Sequence, residues 1–323
     1  MTRRTLPPEQ LALGVIEGQP AAIARAVTAI ENDLPGGREV LDRIFPRTGR
    51  AHIIGITGPP GSGKSSLVNE IIRASRADGR RIAVLAIDPS SPISGGATLG
   101  DRIRMLEWHA DPGVFVRSMA SRRFGGGLAQ HTLTVAHVFD AAGFDPIIIE
   151  TVGTGQDEVA IASLAHSTVL VQVPGLGDSV QTLKAGSLEI GDVIVVSKGD
   201  RPEAQVLARD LRSLQTLRDD MEAMMDTWQP RVVMTSSVER TGIDKLLNAL
   251  ADHRLWLRDT GEWARRTRSM LGTEIASRVQ RSLLEEFLAS RGVQDDLIER
   301  VLARDLSPIS AADQMLEALR RRT

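Results

Sequence analysis

The chain has 323 residues, a formal net charge of −2 and no cysteine. The near-neutral balance offers no general basic excess of the kind that holds nucleic acid, and the missing thiols exclude disulfides, thiolate zinc sites and cysteine nucleophiles. The length suits one large domain with appendages or two modest ones.

Residues 8 to 45 predict two short helices with Leu11, Val15, Ile23, Val27 and Ile30 on apolar faces, broken at Pro35-Gly36-Gly37. From 52 to about 236 apolar runs alternate with helical stretches. Strands are expected at 52–57, 82–87, 114–118, 146–149, 168–173, 192–196 and 231–235, and helices at 65–76, 99–109, 128–142, 156–165 and 203–220. That alternation predicts an α/β fold, a mostly parallel sheet flanked by helices, with ligands at the carboxyl ends of its strands. After about residue 258 the strand signal stops, and 262–290, 294–304 and 310–322 read as helices. Met270, Ile275, Val279, Leu283, Leu284 and Phe287 recur at helical spacing there, either as intramolecular core or as an exposed dimerising arm. The expected division is 1–45, an N-terminal helical segment; 46–257, a P-loop domain; and 258–323, a C-terminal helical arm.

The first run ends in Gly58-Pro59-Pro60-Gly61-Ser62-Gly63-Lys64-Ser65, a phosphate-binding loop between a strand and a helix. Gly58 and Gly63 allow backbone angles that bring consecutive N–H groups onto phosphate oxygens. Lys64 can reach the β- and γ-phosphates, Ser65 can place its hydroxyl on Mg²⁺, and the helix from Ser66 points its positive end at the same anion. The chain is expected to bind a nucleoside triphosphate.

Further carboxylates stand where strands end. Glu150-Thr151-Val152-Gly153 could hold a Mg²⁺-bound water through Glu150 and offer the Gly153 N–H to the γ-phosphate. Asp88 opens a stretch rich in Ser, Pro and Gly, read as a mobile loop, and Asp101 follows it. Asp101 is taken as a metal-site acid and Asp88 as a metal or water positioner; each could instead cap a helix. Ser197-Lys198-Gly199-Asp200 follows another strand. The Asp200 carboxylate can accept hydrogen bonds from guanine N1–H and the 2-amino group, which adenine cannot supply. Lys198 can lay its methylenes along the purine, and the stretch Thr235-Ser236-Ser237 can offer a backbone N–H to guanine O6. Ser197 stands where an Asn is usual, and its shorter hydroxyl is expected to brace the loop less well. Lys184, in Gly175–Gly186, could swing to the nucleotide or sit in a salt-bridged surface helix.

With these segments in order, the chain resembles the methylmalonyl-CoA mutase-associated GTPases, the MeaB/ArgK-like family. The resemblance rests on Gly58–Ser66, Asp88-Pro89-Ser90-Ser91-Pro92, Leu99-Gly100-Asp101, Arg117-Ser118-Met119-Ala120, Glu150–Gly153 and Gly175–Gly186. It implies a homodimeric GTPase using GTP/GDP and Mg²⁺. Such a protein gates cofactor delivery from an adenosyltransferase to an adenosylcobalamin-dependent mutase and protects that mutase. No strong general base is evident, so hydrolysis is expected to be slow alone and faster with the partner. The resemblance tips Lys184 toward a functional role; Ser179-Val180 departs from the family's more usual acidic-aliphatic pair.

A GTP-dependent metallochaperone would want a His/Cys-rich segment, whereas the histidines are scattered and His131 and His137 are spaced for no metal pair. An ATP-using small-molecule kinase is disfavoured by Asp200, and a vestigial nucleotide site by Lys64 and Ser65. No apolar stretch approaches the roughly 20 residues that span a bilayer. Met1-Thr2-Arg3-Arg4 lacks the apolar core of a secretory signal. A cytoplasmic location is expected, with no nucleic-acid partner.

Overall fold

Seven short runs rich in apolar residues pair in parallel as one sheet: β1 (Ile53–Thr57), β2 (Ile82–Pro89), β3 (Val114–Ser121), β4 (Ile147–Thr151), β5 (Ser167–Gln172), β6 (Val193–Val196) and β7 (Arg231–Met234). This computed structural model describes residues 6–89, 106–121, 129–151, 160–175, 189–222 and 227–320. The strand order is β3-β2-β4-β1-β5-β6-β7. β1 lies between β4 and β5: the chain leaves β1 for β2 on one side and crosses from β4 to β5 on the other. The carboxyl edge at such a reversal is the usual ligand position of these sheets. All seven expected strands are present.

Apolar side chains are buried on both faces, as parallel sheets require. On one face, Ile54, Ile56, Val169, Val171, Val193 and Val195 pack against α4 (Lys64–Ala77) and α7 (Ile243–Asp259). On the other, Leu85, Ile147 and Ile149 meet α5 (Ala129–Ala141), while Ile194 and Val196 meet α6 (Pro202–Glu222).

The N-terminal segment joins this second core. It contains three helices, α1 (Pro8–Ile16), α2 (Pro20–Glu31) and α3 (Gly37–Ile44), where the sequence predicts two. The additional break falls at Gly18-Gln19-Pro20: Gly18 takes φ 73°, and Pro20 occupies the first turn of α2, where its missing N–H costs nothing. Leu11, Val15, Ile23, Val27 and Ile30 are all buried against the sheet side. Each such burial is worth about 1.5–3 kcal/mol relative to exposure. The expected helix over 99–109 appears, in its described part, as one 3₁₀ turn at Leu106–Trp108.

The chain ends in α8 (Glu262–Ala289), α9 (Arg291–Leu302) and α10 (Pro308–Arg320). α8 docks through polar groups. At the amino edge of the sheet Arg266 makes two 2.8 Å contacts with Asp192 and donates to the His166 carbonyl, while Trp263 stacks on His166 at 3.9 Å. Further along, Glu274 accepts from Thr134 at 2.6 Å and lies 3.1 Å from His137 Nε2 on α5. Arg281 reaches Asp33 and His131. The predicted stripe therefore divides. Met270 is buried, whereas Ile275, Val279, Leu283 and Phe287 are exposed on the outer side.

Candidate nucleotide-binding and hydrolysis site

β1 delivers the phosphate loop at the carboxyl edge. Gly58 has φ 142° there, and a β-carbon would lie 2.2 Å from the Val171 carbonyl oxygen, so no other residue fits this turn. Gly61 and Gly63 are also left-handed, at φ 74° and 90°, and α4 begins at Lys64. Pro60, Gly61 and Ser66 are exposed, Pro59 is half-buried, and Ser62, Lys64 and Ser65 are buried. The Lys64 ammonium donates to the Gly58 and Pro59 carbonyls at 2.8 and 3.0 Å, spanning the loop that would hold phosphate.

Ser65 Oγ donates to Glu150 Oε1 at 2.7 Å, and both residues are almost fully buried. Glu150 comes from the end of β4, paired with Ile56 on β1. A hydroxyl and a carboxylate this close are hard oxygen donors of the kind Mg²⁺ takes, so the residues present fit that ion. On the other face of the sheet, Thr151 Oγ1 donates to Thr57 Oγ1 at 3.0 Å, a pair that sequence reading missed. Ile87 pairs with Thr151, which brings Asp88 to the same edge. The Asp88 side chain, with Asp101, Gly153 and Lys184, lies outside the described residues.

The segment expected to read the base follows β6. Lys198 adopts φ 54°, and the Gly199 N–H bonds to Thr235 O at 2.8 Å, presenting an exposed Asp200. Ser236 Oγ donates to Asp200 Oδ1 at 2.6 Å. That hydrogen bond, then the Asp200 main-chain N–H and the nearby Arg201 and Lys198 charges, hold the carboxyl below its usual range, so it is an anion at neutral pH. The Thr235 N–H goes to Val196 O and the Ser236 N–H to Thr241 O. Within the stretch Thr235-Ser236-Ser237 expected at guanine O6, these two N–H groups are thus paired inside the protein. Gly242, at φ 78°, permits the close return of this loop: a β-carbon would lie 2.0 Å from Met234 O.

Ser197 departs from expectation. Its hydroxyl lies 2.6 Å from the Ser62 carbonyl in the phosphate loop and 3.0 Å from the Gln172 carbonyl at the end of β5. It braces the loop that carries Asp200 against both, because Ser197 is buried at the point where three segments converge.

A glycine-rich phosphate loop, a buried Ser–Glu pair and an exposed aspartate beyond β6 together define a P-loop GTPase. The family described as methylmalonyl Co-A mutase-associated GTPase MeaB matches residues 23–292. A relative from Pyrococcus horikoshii, provisionally assigned as a GTPase, is 40% identical over 97% of this chain and 98% of its own. GTPase ArgK of Escherichia coli is 34% identical over 76% of this chain and 75% of its own. The mouse protein named methylmalonic aciduria type A homolog, mitochondrial, is 31% identical over 97% and 80%. Among solved structures, the LAO/AO transport system kinase superposes with a TM-score of 0.73, covering 99% of this chain and 100% of its own at 24% identity, which bears on the fold alone. The chain belongs to the MeaB family: it binds GTP and GDP and hydrolyses GTP. No helix among the described residues is long and apolar enough to cross a membrane.

Proposed function

We propose that this GTPase gates cofactor loading into an adenosylcobalamin-dependent acyl-CoA mutase such as methylmalonyl-CoA mutase, and protects that enzyme from inactivation. An adenosyltransferase would supply the cofactor. The reading is carried by the match of residues 23–292 to a family named for its association with this mutase. Affinity capture from native extract with an immobilised GTP analogue tests it. A cobalamin-binding mutase should co-purify in at least one nucleotide state, and its absence in all of them contradicts the proposal.

In the proposed site, Gly58 to Ser66 enclose the phosphates, Lys64 neutralises charge on the β- and γ-oxygens, and Ser65, Glu150, Asp88 and Asp101 supply metal oxygens. Mg²⁺, when bound, would neutralise charge developing on the phosphates. Water attacks the γ-phosphorus in line; the bond to the β–γ bridging oxygen breaks, releasing GDP and phosphate. Gly153 would offer its N–H to the γ-phosphate, and Lys184 would approach from its own loop. Asp200 vets the base, Lys198 covers one purine face, and Thr235-Ser236-Ser237 close the far side. No buried carboxylate or histidine is assigned as a general base, so turnover alone would be slow and the mutase would raise it.

Two further parts complete the reading. The exposed row Ile275, Val279, Leu283 and Phe287 would meet the same row of a second copy, making a homodimer. The functional division would be 1–45, 46–257 and 258–323, acting in the cytoplasm.

A further inference from the structure

The end of β4 is clasped to the phosphate loop from both faces of the sheet. Successive residues of a strand point to opposite faces, so Glu150 turns to Ser65 on the α4 side and Thr151 turns the other way, to Thr57. The two contacts measure 2.7 and 3.0 Å. Thr57 and Thr151 are 0% and 1% exposed, and each adjoins a residue of the site: Thr57 precedes Gly58, and Thr151 follows Glu150. The sheet ladder already sets Glu150 beside Ile56 and Ala86, and Thr151 beside Ile87; the two side-chain contacts add a hold on each face.

We infer that the Thr57–Thr151 pair is a positioning device for GTP hydrolysis, holding the Glu150 carboxylate in place over Ser65. It rests on the proposed role of Glu150 as a metal-site acid. Stability alone gives no reason for the pair. Apart from Glu150, the rest of β1 and β4 buries Ile and Gly, and replacing two mutually bonded hydroxyls by apolar groups of the same shape is close to neutral or stabilising. A hydroxyl pair does what Val–Val cannot. Its geometry is satisfied only when the two strand ends keep one separation and one register.

The test is single-turnover GTP hydrolysis, with GDP affinity measured without metal, on T57V, T151V, the double variant and T151S. Each valine variant should hydrolyse about fivefold more slowly, the factor of one buried hydrogen bond, and keep GDP affinity within about twofold. The double variant should unfold at the same denaturant concentration as wild type or higher while remaining slow, and T151S should restore the rate. Wild-type rates in the folded double variant overturn the inference, as does a fall in rate matched by an equal fall in GDP affinity. Stoichiometric GDP binding reports folding, and if T57V fails to fold, T151V with T151S decides alone. E150Q separates the two layers. If it slows hydrolysis and T151V does not, only the inference fails; if E150Q leaves the rate unchanged, the role of Glu150 fails first and the inference with it.

Discussion

Ser236 Oγ lies 2.6 Å from Asp200 Oδ1, and the same hydroxyl accepts the Glu239 N–H at 3.2 Å. The Asp200 carboxylate, although exposed, is therefore held by a neighbouring side chain. In its proposed role of reading the base, the entropy of ordering the side chain is spent in folding rather than in binding.

S236A should lower GDP affinity by about fivefold, the factor of one hydrogen bond to the reading group. It should also shift the acid limb. In the proposed role Asp200 must be ionised to accept from guanine, and in wild type its folded pKa is held low. Wild-type binding should persist as pH falls into the ordinary carboxylate range, and S236A binding should fade at higher pH. Fluorescent-GDP titrations from pH 7 to 4 check this; coincident profiles count against the role of Ser236.

S197A removes the brace on Ser62 O and Gln172 O. GDP should dissociate about fivefold faster, with association little changed, because the loss is one buried hydrogen bond and no charge. Stopped-flow release of labelled GDP reads it directly.

Three histidines far apart in sequence gather at the amino edge of the sheet. His52 Nε2 lies 2.6 Å from Ser167 Oγ, which lies 2.7 Å from His253 Nδ1, and His166 Nδ1 accepts the Ile53 N–H. Burial, with Arg266, Arg254 and Arg258 nearby, pushes His166 down to about 3. Burial also takes His253 down to about 4, with Asp192 opposing and Arg266 assisting. Both are neutral when folded, whereas an unfolded histidine titrates near 6.5. Their contribution to stability is complete above about pH 6.5 and is lost as pH falls toward 4 and 3. Urea midpoints measured from pH 8 to 4.5 should decline below 6.5, and H166F should flatten that slope even if it lowers the plateau.

Glu274 binds α8 to α5. Burial alone would raise its pKa, but His137, Thr134 and Arg278 outweigh that and leave it lowered. E274A leaves the partners on α5 unsatisfied and should cost about 1–3 kcal/mol. Hydrogen exchange should rise along α8 before it rises in β1. Uniform exchange across both would mean that α8 does not open separately.

If Ile275 and Val279 form the proposed contact between copies, I275E/V279E should yield monomers at concentrations where wild type is a dimer. Light scattering decides, and an unchanged dimer would move the interface elsewhere.

What could be read from the sequence was contiguous or strictly periodic. The phosphate loop is one unbroken stretch, so Gly58, Lys64 and Ser65 declared themselves. Asp200 stood out because a carboxylate four residues beyond an apolar strand falls at the carboxyl edge of the sheet, and the structure places it there, exposed. The seven strands were legible for the same reason: doubly covered parallel strands are almost wholly apolar. Other features depend on partners distant along the chain. Thr57 and Thr151 are unremarkable residues until β1 and β4 pair, although a hydroxyl at the end of an Ile-rich strand is a usable signal. The docking face of α8 is polar, through Arg266, Glu274 and Arg281, so hydropathy pointed to the outer face instead. The short side chain of Ser197 looked like a weakness because its acceptors, two main-chain carbonyls, leave no trace in sequence. The extra N-terminal break was marked by Gly18 and Pro20, whose turn chemistry was overlooked in favour of the longer Pro35-Gly36-Gly37.

If a mutase partner governs hydrolysis at this site, as proposed, single-turnover hydrolysis of γ-labelled GTP will respond to it. With saturating adenosylcobalamin-dependent mutase the rate should rise by at least about tenfold, below the range that charge-stabilising partners reach elsewhere, and K64A should abolish it in both conditions. A fast rate in the isolated protein, unchanged by the mutase, would contradict the account.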